Sequence, residues 1–391
     1  MKNRFLNRLN RAYSILRGDQ DIVISHKPAG SSCSGYVLMS HIPYVPPSLR
    51  NTQWHSNIVE YFELIKIFTE LGYEVDSIRY DDINFIPSRR YDIFLDVAYN
   101  LQRLSPLMSE NTVKILYLTT SYIRFANNAE LRRVNEFEKR KGCTYSPSVF
   151  GPFEDLVDRS LRIADKCILI GNQETKNTFP AEFRNKIKTV TVSASRINRI
   201  KKSDEYIPEE KEFLWFFGLG AVHKGLDLVL DAFARNRTWK LNVIGYVDRE
   251  PGFKKVYEKE LTSFPNIKYH GALNPSSDRF AEITGRCFAF IAPTCSEGIS
   301  PAVATLLQVG LYPIISRHTG IDLPEGYGVI IDDFTVGSVE HAVREVQAMD
   351  DASVSRQISD LQSMALENYT LERYTGQVKD LILKAISEKG S

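Results

Sequence analysis

The sequence contains few cysteines and no long apolar run. Its five cysteines, Cys33, Cys143, Cys167, Cys287 and Cys295, are scattered over 391 residues and never form a C-x-x-C pair. Such a set argues against a disulfide framework or a cysteine-ligated zinc site. No segment approaches the roughly 20 apolar residues of a membrane span, and the N-terminus lacks the apolar core of a secretory signal peptide. These absences predict a cytoplasmic protein.

The sequence also has almost no net charge. Its 49 basic residues are balanced by 48 acidic ones, which leaves a formal charge of +1. Nucleic-acid-binding proteins normally carry a basic excess, so we expect no nucleic-acid partner. With 43% hydrophobic residues the chain can bury ordinary cores, and its length predicts about two domains.

Acidic residues are absent from the first seventeen positions, which include five basic ones. The apolar residues Phe5, Leu6, Leu9, Tyr13 and Leu16 can share one face of a helix. One interpretation is a peripheral contact of residues 1–17 with anionic lipid at the inner face of a membrane. The other, which we favour, is a helix packed on the protein by the same apolar stripe.

What the sequence does contain is a repeated alternation of short apolar runs and amphipathic segments. The first half predicts strands at 36–40, 73–78, 91–97, 113–119, 165–171 and 187–192, and helices at 57–71 and 129–141. A polar connector interrupts the pattern, which then restarts with strands at 212–218, 240–245, 266–271 and 287–293 and helices between them. Strands that alternate with helices predict parallel sheets covered on both faces.

The predicted fold class is therefore α/β, with two doubly wound Rossmann-like domains facing a central cleft. The predicted boundaries are a basic segment at 1–30, a first domain at 31–195, a linker at 196–211, a second domain at 212–370 and a C-terminal helix at 371–391 that packs back on the first domain.

A carboxylate and a glycine follow the strand predicted at 287–293, which is unusual for the end of a buried strand. Glu297 and Gly298 lead into a helix predicted to begin near Pro301. Ligands of doubly wound sheets bind beyond the carboxyl ends of the strands, and the free N–H groups of a helix start favour anions. Because Glu297 can also accept hydrogen bonds from hydroxyls, the sequence predicts a ligand site in the cleft between the domains.

Three segments of the second half resemble the retaining glycosyltransferases of family 4, which have the GT-B fold. The segments are FFGLGAVHKGLDLVLDAF at 216–233, NIKYHGALNPSSDRFAEI at 266–283 and TCSEGISPAVATLLQVGLYPIIS at 294–316. The first is similar to the family's glycine loop with Lys-Gly-x-Asp, and the last to its Glu-Gly segment followed by a helix of small residues. Their order and spacing match too, whereas the first half resembles the family only in its strand–helix alternation and at 165–175.

The resemblance implies transfer of a hexosyl group from a nucleotide-sugar to an acceptor hydroxyl with retention of the anomeric configuration. Lys224 and Glu297 would be catalytic. Lys224 would meet the donor diphosphate, a role suited to a flexible point charge, and Glu297 would hold hydroxyls of the donor sugar. The residues implied in donor binding are Gly220, Lys224, Ala272, Leu273, Glu297, Gly298, Ile299, Ser300 and Thr305.

The resemblance also bears on cofactors and partners. Enzymes with the GT-B fold generally work without a bound metal, so no cofactor is expected. The acceptor would be a glycan or a lipid-linked sugar, in the synthesis of a surface polysaccharide or glycoconjugate.

The sequence departs from the family at several positions. Thr305 stands where the family has a second glutamate that grips the ribose, and a neutral hydroxyl makes a weaker contact. The family's arginine before the lysine is missing from 218–222. SHIPYVPP at 40–47 replaces the usual glycine pair, and LTTSYIRFANN at 118–128 contains no histidine. These differences keep a second hypothesis open, a non-catalytic module of the same fold that binds a nucleotide or a partner.

Three further residues are candidates for acceptor or phosphate contacts. His41 closes the first predicted strand, where it either meets a ligand or is satisfied by neighbouring backbone. Asn127 and Asn128 stand just before the helix predicted at 129–141, where they either bind an acceptor at the cleft rim or cap the helix. We expect His223 to orient the Lys224 loop. That loop lacks the third glycine of a dinucleotide fingerprint, which argues against a dehydrogenase.

Overall fold

The structure is a computed structural model that describes residues 23–28, 30, 33–41, 56–146, 153–198 and 211–389. The basic segment 1–17, with its predicted membrane contact, lies outside these residues. Most of the polar connector, including Lys201 and Lys202, lies outside them too.

The first lobe is built on a seven-stranded sheet. Its strands are β1 (Ile24–His26), β2 (Gly35–His41), β3 (Tyr73–Arg79), β4 (Ile93–Asp96), β5 (Val113–Leu118), β6 (Lys166–Ile170) and β7 (Ile187–Val190). They lie in the order β1-β3-β2-β4-β5-β6-β7. Only the edge pair β1–β3 is antiparallel. Strand β1 lies within 1–30, the stretch that sequence analysis sets apart from the first domain; its three residues carry no strand pattern of their own.

The helices of the first lobe cover both faces of this sheet. They are α1 (Ser56–Glu70), α2 (Leu101–Leu104), α3 (Ile123–Lys141), α4 (Glu154–Ile163), α5 (Gln173–Asn177) and α6 (Ala181–Arg184), with a short 3-10 turn at Ser105–Leu107.

The second lobe is built on a six-stranded parallel sheet. In chain order its elements are β8 (Glu212–Phe217), α7 (Leu226–Arg235), β9 (Lys240–Gly245), α8 (Pro251–Val256), α9 (Glu258–Ser263), β10 (Ile267–Tyr269), α10 (Asp278–Arg286), β11 (Cys287–Ala292), α11 (Pro301–Val309), β12 (Tyr312–Ile315), β13 (Val329–Ile330), α12 (Val336–Ala348) and α13 (Asp351–Asn368). Two 3-10 turns lie at Val247–Arg249 and Arg317–Thr319. The strand order is β10-β9-β8-β11-β12-β13.

The central strands explain why continuous apolar runs mark the sheets. Every residue of β4 and of β11 is buried, as expected where helices cover both faces of a parallel sheet. The prediction of two doubly wound α/β domains that face a cleft is confirmed.

Two helices differ from their predicted form. Helix α3 begins at Ile123, six residues before the predicted start at 129. The prediction placed the start too late because Asn127 and Asn128 resemble helix-cap residues. In α1, Ile65 and Phe68 are buried as expected, whereas Ile58 and Phe62 are only partly buried. Its buried face is rotated and includes a glutamate, Glu60.

The last helix, α14 (Leu371–Lys389), returns from the second lobe and packs on α1 and on strands β5–β7 of the first lobe. The Tyr374 hydroxyl lies 2.6 Å from the Tyr117 hydroxyl, and Thr375 Oγ1 donates to Glu63 at 2.9 Å. The chain therefore crosses between the lobes twice, and Ala194 N bonds Tyr369 O at 3.0 Å where the two crossings meet.

Helices α3 and α7 join the lobes through charge. We call Arg133, Arg140 and Lys141 of α3 with Asp227 and Asp231 of α7 the interlobe charge cluster. Arg133 donates to both Asp227 oxygens at 2.9 and 2.8 Å. Arg140 contacts both aspartates, and Lys141 donates to Asp231 at 2.5 Å. Because Asp227 follows Lys224 by three residues, the first lobe is tied to the start of a segment that reaches the cleft.

Within the described part of the chain, no helix combines the length and apolar character that crossing a bilayer requires.

Candidate functional site

The carboxyl edges of the two sheets face a cavity of about 500 Å³ between the lobes. The first lobe lines it with residues that include Thr119, just after β5, and Ile170, the last residue of β6. The second lobe contributes Gly218, just after β8, and Glu297, beyond β11. The cavity therefore lies where ligands of doubly wound sheets bind, and its size is typical of a ligand pocket.

Lys224 and Glu297 form an ion pair in the wall of this cavity. Their side chains are 12% and 16% exposed, so the pair is largely withdrawn from water yet still reachable from the cavity. Burial lowers the pKa of Lys224, an effect that nearby Cys295 and Glu130 oppose. A buried ammonium is costly without a partner, and the Glu297 carboxylate supplies one. The two sequence-predicted catalytic residues are thus brought together.

The Lys224 loop is held in place by a buried carboxylate from the same lobe. Glu250 accepts hydrogen bonds from the backbone N–H of Gly220 at 2.7 Å and of Ala221 at 3.0 Å. The Tyr145 hydroxyl, which belongs to the first lobe, donates to the same carboxylate at 2.7 Å. The Gly220 N–H, a predicted donor contact, is thus directed at Glu250, and Gly220 is not among the residues that line the cavity.

The Glu297 loop is held from both lobes. The Ser121 hydroxyl of the first lobe lies 2.5 Å from the Ser296 hydroxyl, and Thr175 Oγ1 donates to Gly298 O at 3.1 Å. His223 Nε2 lies 2.6 Å from Ser296 O, so its ring orients the loop. Burial and the adjacent Lys224 lower the pKa of His223 to about 3, which keeps the ring neutral.

Gly298 marks a close approach of the two lobes. A Cβ atom at this position would lie 2.4 Å from Ile170 O and 2.7 Å from Thr119 O, both backbone atoms of the first lobe. No other residue type fits there without moving one lobe. Gly298 thus contributes close packing beside the cavity, and it does not line the cavity itself.

Two helices begin at the cavity, one in each lobe. Ser56, Asn57 and Ile58 open α1, and Ser300 precedes Pro301 and Ala302 at the start of α11; all six line the cavity. The Ser300 hydroxyl caps Val303 N. Since the N-terminal end of a helix carries partial positive charge, the two starts favour an anionic ligand between the lobes.

The remaining predicted donor contacts are divided. Ala272, Leu273, Ile299 and Ser300 line the cavity. Thr305 is fully buried and does not line it, because its hydroxyl donates to Pro301 O at 2.6 Å and accepts from Ser195 N at 2.9 Å.

His41 lines a second cavity of about 400 Å³ on the first lobe. Its ring is buried between Tyr61 and Tyr117, at centroid distances of 6.0 and 5.7 Å, and burial lowers its pKa to about 4. Asn57 and Thr119 line both cavities, so the two adjoin.

Asn127 and Asn128 lie inside α3, so their interpretation as helix caps is wrong: the residue before the first turn is Tyr122, which makes no side-chain cap. Asn127 donates to Glu154 at 2.8 Å, and Asn128 is exposed. Neither is among the residues that line the two cavities.

Sequence reasoning missed several residues of the site. Glu60 of α1 lines the main cavity, and burial raises its pKa to about 7. Arg249 and Tyr246, just beyond β9, line it as well, with the guanidinium 4.5 Å from the ring centroid. Two signals in the sequence could have identified these residues. Glu60 lies among the apolar residues of α1, and Tyr246 and Arg249 follow shortly after the strand predicted at 240–245. Over the described ranges no cluster of three or more histidine, cysteine, aspartate or glutamate side chains could hold a metal ion.

No family model matches the chain, and no curated protein matches its sequence. Solved structures do match it. A sucrose-phosphate synthase from Thermosynechococcus elongatus has a TM-score of 0.62 and 12% identity, over 90% of this chain and 99% of that one. An α,α-trehalose-phosphate synthase (UDP-forming) from Burkholderia vietnamiensis has a TM-score of 0.60 and 10% identity, over 93% and 98%. Anabaena HepE, solved with UDP and glucose, has a TM-score of 0.58 and 10% identity, over 90% and 100%. At these identities the likeness concerns the fold, and this chain has the GT-B fold.

Proposed function

We propose that the protein is a retaining glycosyltransferase, similar to family 4, that moves a hexosyl group from a nucleotide-sugar to an acceptor hydroxyl. Its role would be the synthesis of a surface polysaccharide or glycoconjugate. The observation that carries the proposal is the Lys224–Glu297 ion pair in the wall of the interlobe cavity, between two helix starts.

The two members of the ion pair suit the two parts of a nucleotide-sugar, which are an anionic diphosphate and a neutral sugar that carries hydroxyls. In the proposed complex the donor diphosphate takes the place of Glu297 beside Lys224, and the released carboxylate accepts hydrogen bonds from hydroxyls of the donor sugar. The ion pair thus exchanges its internal partners for substrate groups, so neither charge is left buried alone.

The proposed reaction is a same-face displacement. The bond between the anomeric carbon and the diphosphate oxygen breaks while the acceptor oxygen bonds to that carbon on the same face. The departing diphosphate takes the proton of the acceptor hydroxyl. Lys224 and the starts of α1 and α11 stabilise the negative charge that develops on the leaving group, which we expect to be the dominant contribution.

Arg249 supplies a second positive charge to the cavity, which the loop at 218–222 does not. We assign it and the Tyr246 ring to the nucleotide end of the donor. Both line the same cavity as Ala272 and Leu273, which by the resemblance to family 4 would border the nucleobase. Two of the similar structures concern UDP, one by the name of its reaction and one by its bound ligand, so UDP and UDP-sugars are the first candidates.

A thermal-shift screen against UDP, GDP, ADP and their sugars tests donor binding. A nucleotide at tenfold excess over its dissociation constant adds about 1.4 kcal/mol of stability. Transfer or hydrolysis of the labelled nucleotide-sugar that binds then tests the reaction, and analysis of the product's anomeric configuration tests retention.

The second candidate is a non-catalytic module that binds a nucleotide. It is favoured by the internal hydrogen bonds of Thr305 and of the Gly220 N–H, which remove two predicted donor contacts. Stabilisation by a nucleotide without hydrolysis or transfer of any labelled sugar would select this candidate, whereas turnover would exclude it.

A further inference from the structure

The second cavity, which His41 lines, adjoins the interlobe cavity but has a different set of lining side chains. It has about 400 Å³ and shares Asn57 and Thr119 with the interlobe cavity. A ligand in the second cavity can therefore place one group next to a ligand in the first. In a glycosyltransferase this is the relation between acceptor and donor.

Aromatic side chains form one wall of this cavity. Tyr99 stands between Tyr80 and Phe153, with ring centroids 4.9 and 5.1 Å apart and edge-to-face geometry at both contacts. Phe153 is 37% exposed at the rim, so part of an apolar ring faces outward. Such a wall suits the C–H face of a sugar ring, which can pack on aromatic side chains while its hydroxyls point away.

The described lining of the second cavity is also uncharged. None of the described residues that line the second cavity has a carboxylate, an ammonium or a guanidinium group. The neighbouring Arg124 is committed to Glu154, Asp155 and Asp158, with its closest contacts at 2.7 Å. The interlobe cavity, in contrast, is lined by Lys224, Arg249 and Glu297.

His41 is a buried polar group in the wall of this cavity. It is 1% exposed, and neither of its ring nitrogens has a hydrogen-bond partner among the described residues. Buried polar groups are nearly always hydrogen-bonded in folded proteins. A neutral imidazole donates from one nitrogen and accepts at the other, so a hydroxyl satisfies it well.

The backbone at the cavity is also strained. Ala98 lines it with φ of 89°, a value that residues other than glycine rarely adopt. The conformation is held by the Ser160 hydroxyl, which donates to Ala98 O at 3.0 Å. Strain of this kind persists where the surroundings enforce it, and it clusters at ligand sites. Here it lies directly before Tyr99.

We propose that the second cavity binds the acceptor as an uncharged sugar residue, with its apolar face on Tyr99 and Phe153 and a hydroxyl on His41. This inference rests on the proposed function and narrows its acceptor class. A phosphorylated sugar or a lipid diphosphate would bring a charge into a cavity whose described lining offers no cation to pair with it, and unpaired burial of charge is costly.

Equilibrium binding in the absence of any donor tests the proposal. The intact protein is titrated calorimetrically with maltose, cellobiose, lactose and sucrose, and separately with glucose 6-phosphate. At least one neutral disaccharide should bind, and glucose 6-phosphate should bind at least about tenfold more weakly, the ratio that 1.4 kcal/mol corresponds to.

Variants locate the bound sugar. Phe153→Ala should weaken binding about tenfold, and Phe153→Trp should restore it. His41→Phe should weaken it by a similar factor while keeping a ring in place. Tyr36→Ala, which removes a ring that is 36% exposed and lies outside this cavity, should leave the affinity unchanged.

The proposal is overturned if no neutral sugar binds, if glucose 6-phosphate binds as tightly as the best of them, or if Phe153→Ala and Tyr36→Ala weaken binding equally. Failure of the proposed function is seen separately, since a protein that binds a neutral sugar but neither transfers nor hydrolyses any nucleotide-sugar retains the acceptor site and loses the enzymatic role. Transfer onto phosphorylated sugars alone would overturn only this inference.

Discussion

At the carboxyl edge of the second sheet, an ammonium and a carboxylate form an ion pair in the cleft wall. On the facing side of the first lobe, the buried titratable groups include His41, Asp96 and Glu60. Burial lowers the pKa of His41 and raises the pKa of the two carboxyl groups, which favours the neutral form of each. The two lobes share one architecture, yet the second lobe presents charged side chains to the cavity and the first lobe presents mainly neutral ones.

The difference follows from what each side chain can be paired with. Lys224 and Glu297 come from neighbouring loops of one lobe and neutralise each other. For Glu60, burial opposes ionisation more strongly than the Tyr117 hydroxyl, 3.4 Å away, favours it. The comparison indicates that charge is concentrated on the second-lobe side of the cleft, and that the first lobe supplies neutral hydrogen-bonding and aromatic surface.

The largest effect is expected at the interlobe charge cluster, where ion pairs join the two lobes. Asp227→Ala removes the carboxylate that both Arg133 and Arg140 contact, and Arg133 is only 2% exposed. Removing one partner of a buried pair costs about 3–5 kcal/mol. Urea denaturation should show that loss. Glu282→Ala, at an exposed pair on α10, should change stability by less than about 0.5 kcal/mol; equal losses would show that the interlobe charge cluster does not hold the lobes.

Removal of the ammonium breaks the asymmetry at the cleft itself. Lys224→Ala should lower turnover by ~100-fold or more, the effect of losing one preorganised charge contact. The measurement is steady-state transfer with the donor that the screen identifies. Lys254→Ala, at a half-exposed lysine paired with Asp248 at 2.6 Å, is the control. Near-normal turnover of Lys224→Ala would reject its assignment.

Neutralising the carboxylate separates sugar contacts from nucleotide contacts. Glu297→Gln keeps the shape but loses charge-assisted hydrogen bonds, so turnover should fall on the order of 30-fold. Nucleotide affinity should change by less than about threefold, the equivalent of 0.6 kcal/mol. A variant that loses only nucleotide affinity contradicts the role given to Glu297.

Forcing the lobes apart tests whether their close packing matters. Gly298→Ala places a methyl group against two backbone oxygens of the first lobe, and overpacking of this kind costs about 1.5 kcal/mol. Gly285→Ala is the matched control, because a Cβ atom there meets no atom within 4 Å. If both variants unfold at the same urea concentration, Gly298 is not a point of close approach in solution.

Two pH-dependent effects test the neutral character of the first lobe, and the first concerns Glu60. Because the folded-state pKa of Glu60 is raised to about 7, its contribution to stability is present at low pH and is lost as the pH rises from about 4.5 to 7. Glu60→Gln should remove this loss. Its free energy of unfolding relative to the wild type should therefore increase by roughly 1 kcal/mol or more from pH 5 to pH 8. Denaturation curves at the two pH values provide the test.

His41 should affect stability at acidic pH. Its pKa is lowered to about 4 in the folded state, so it destabilises the fold as the pH falls from about 6.5 to 4. Relative to the wild type, the free energy of unfolding of His41→Phe should therefore be higher at pH 4.5 than at pH 7, whereas that of Glu60→Gln should be higher at pH 7 than at pH 4.5.

The alternation of apolar runs with amphipathic helices was sufficient to predict two doubly wound domains, because both features report burial along the chain directly. The placement of Lys224 and Glu297 at the cleft was predicted through the resemblance of their flanking segments, whereas their ion pair with each other was not predicted. The start of α3 at Ile123 was missed, since Asn127 and Asn128 resemble cap residues.

The sequence by itself determined which segments become strands and helices, and where a carboxylate and a glycine follow a buried strand. Only the tertiary structure decided that burial raises the pKa of Glu60, that the Thr305 hydroxyl accepts a hydrogen bond from Ser195 N, and that Arg249 reaches the cavity. The physical reason is range: periodicity and turn chemistry act between residues close in the chain. Desolvation and hydrogen-bond competition depend on neighbours far away in the chain. Tyr117 is 57 positions from Glu60, and Ser195 is 110 positions from Thr305.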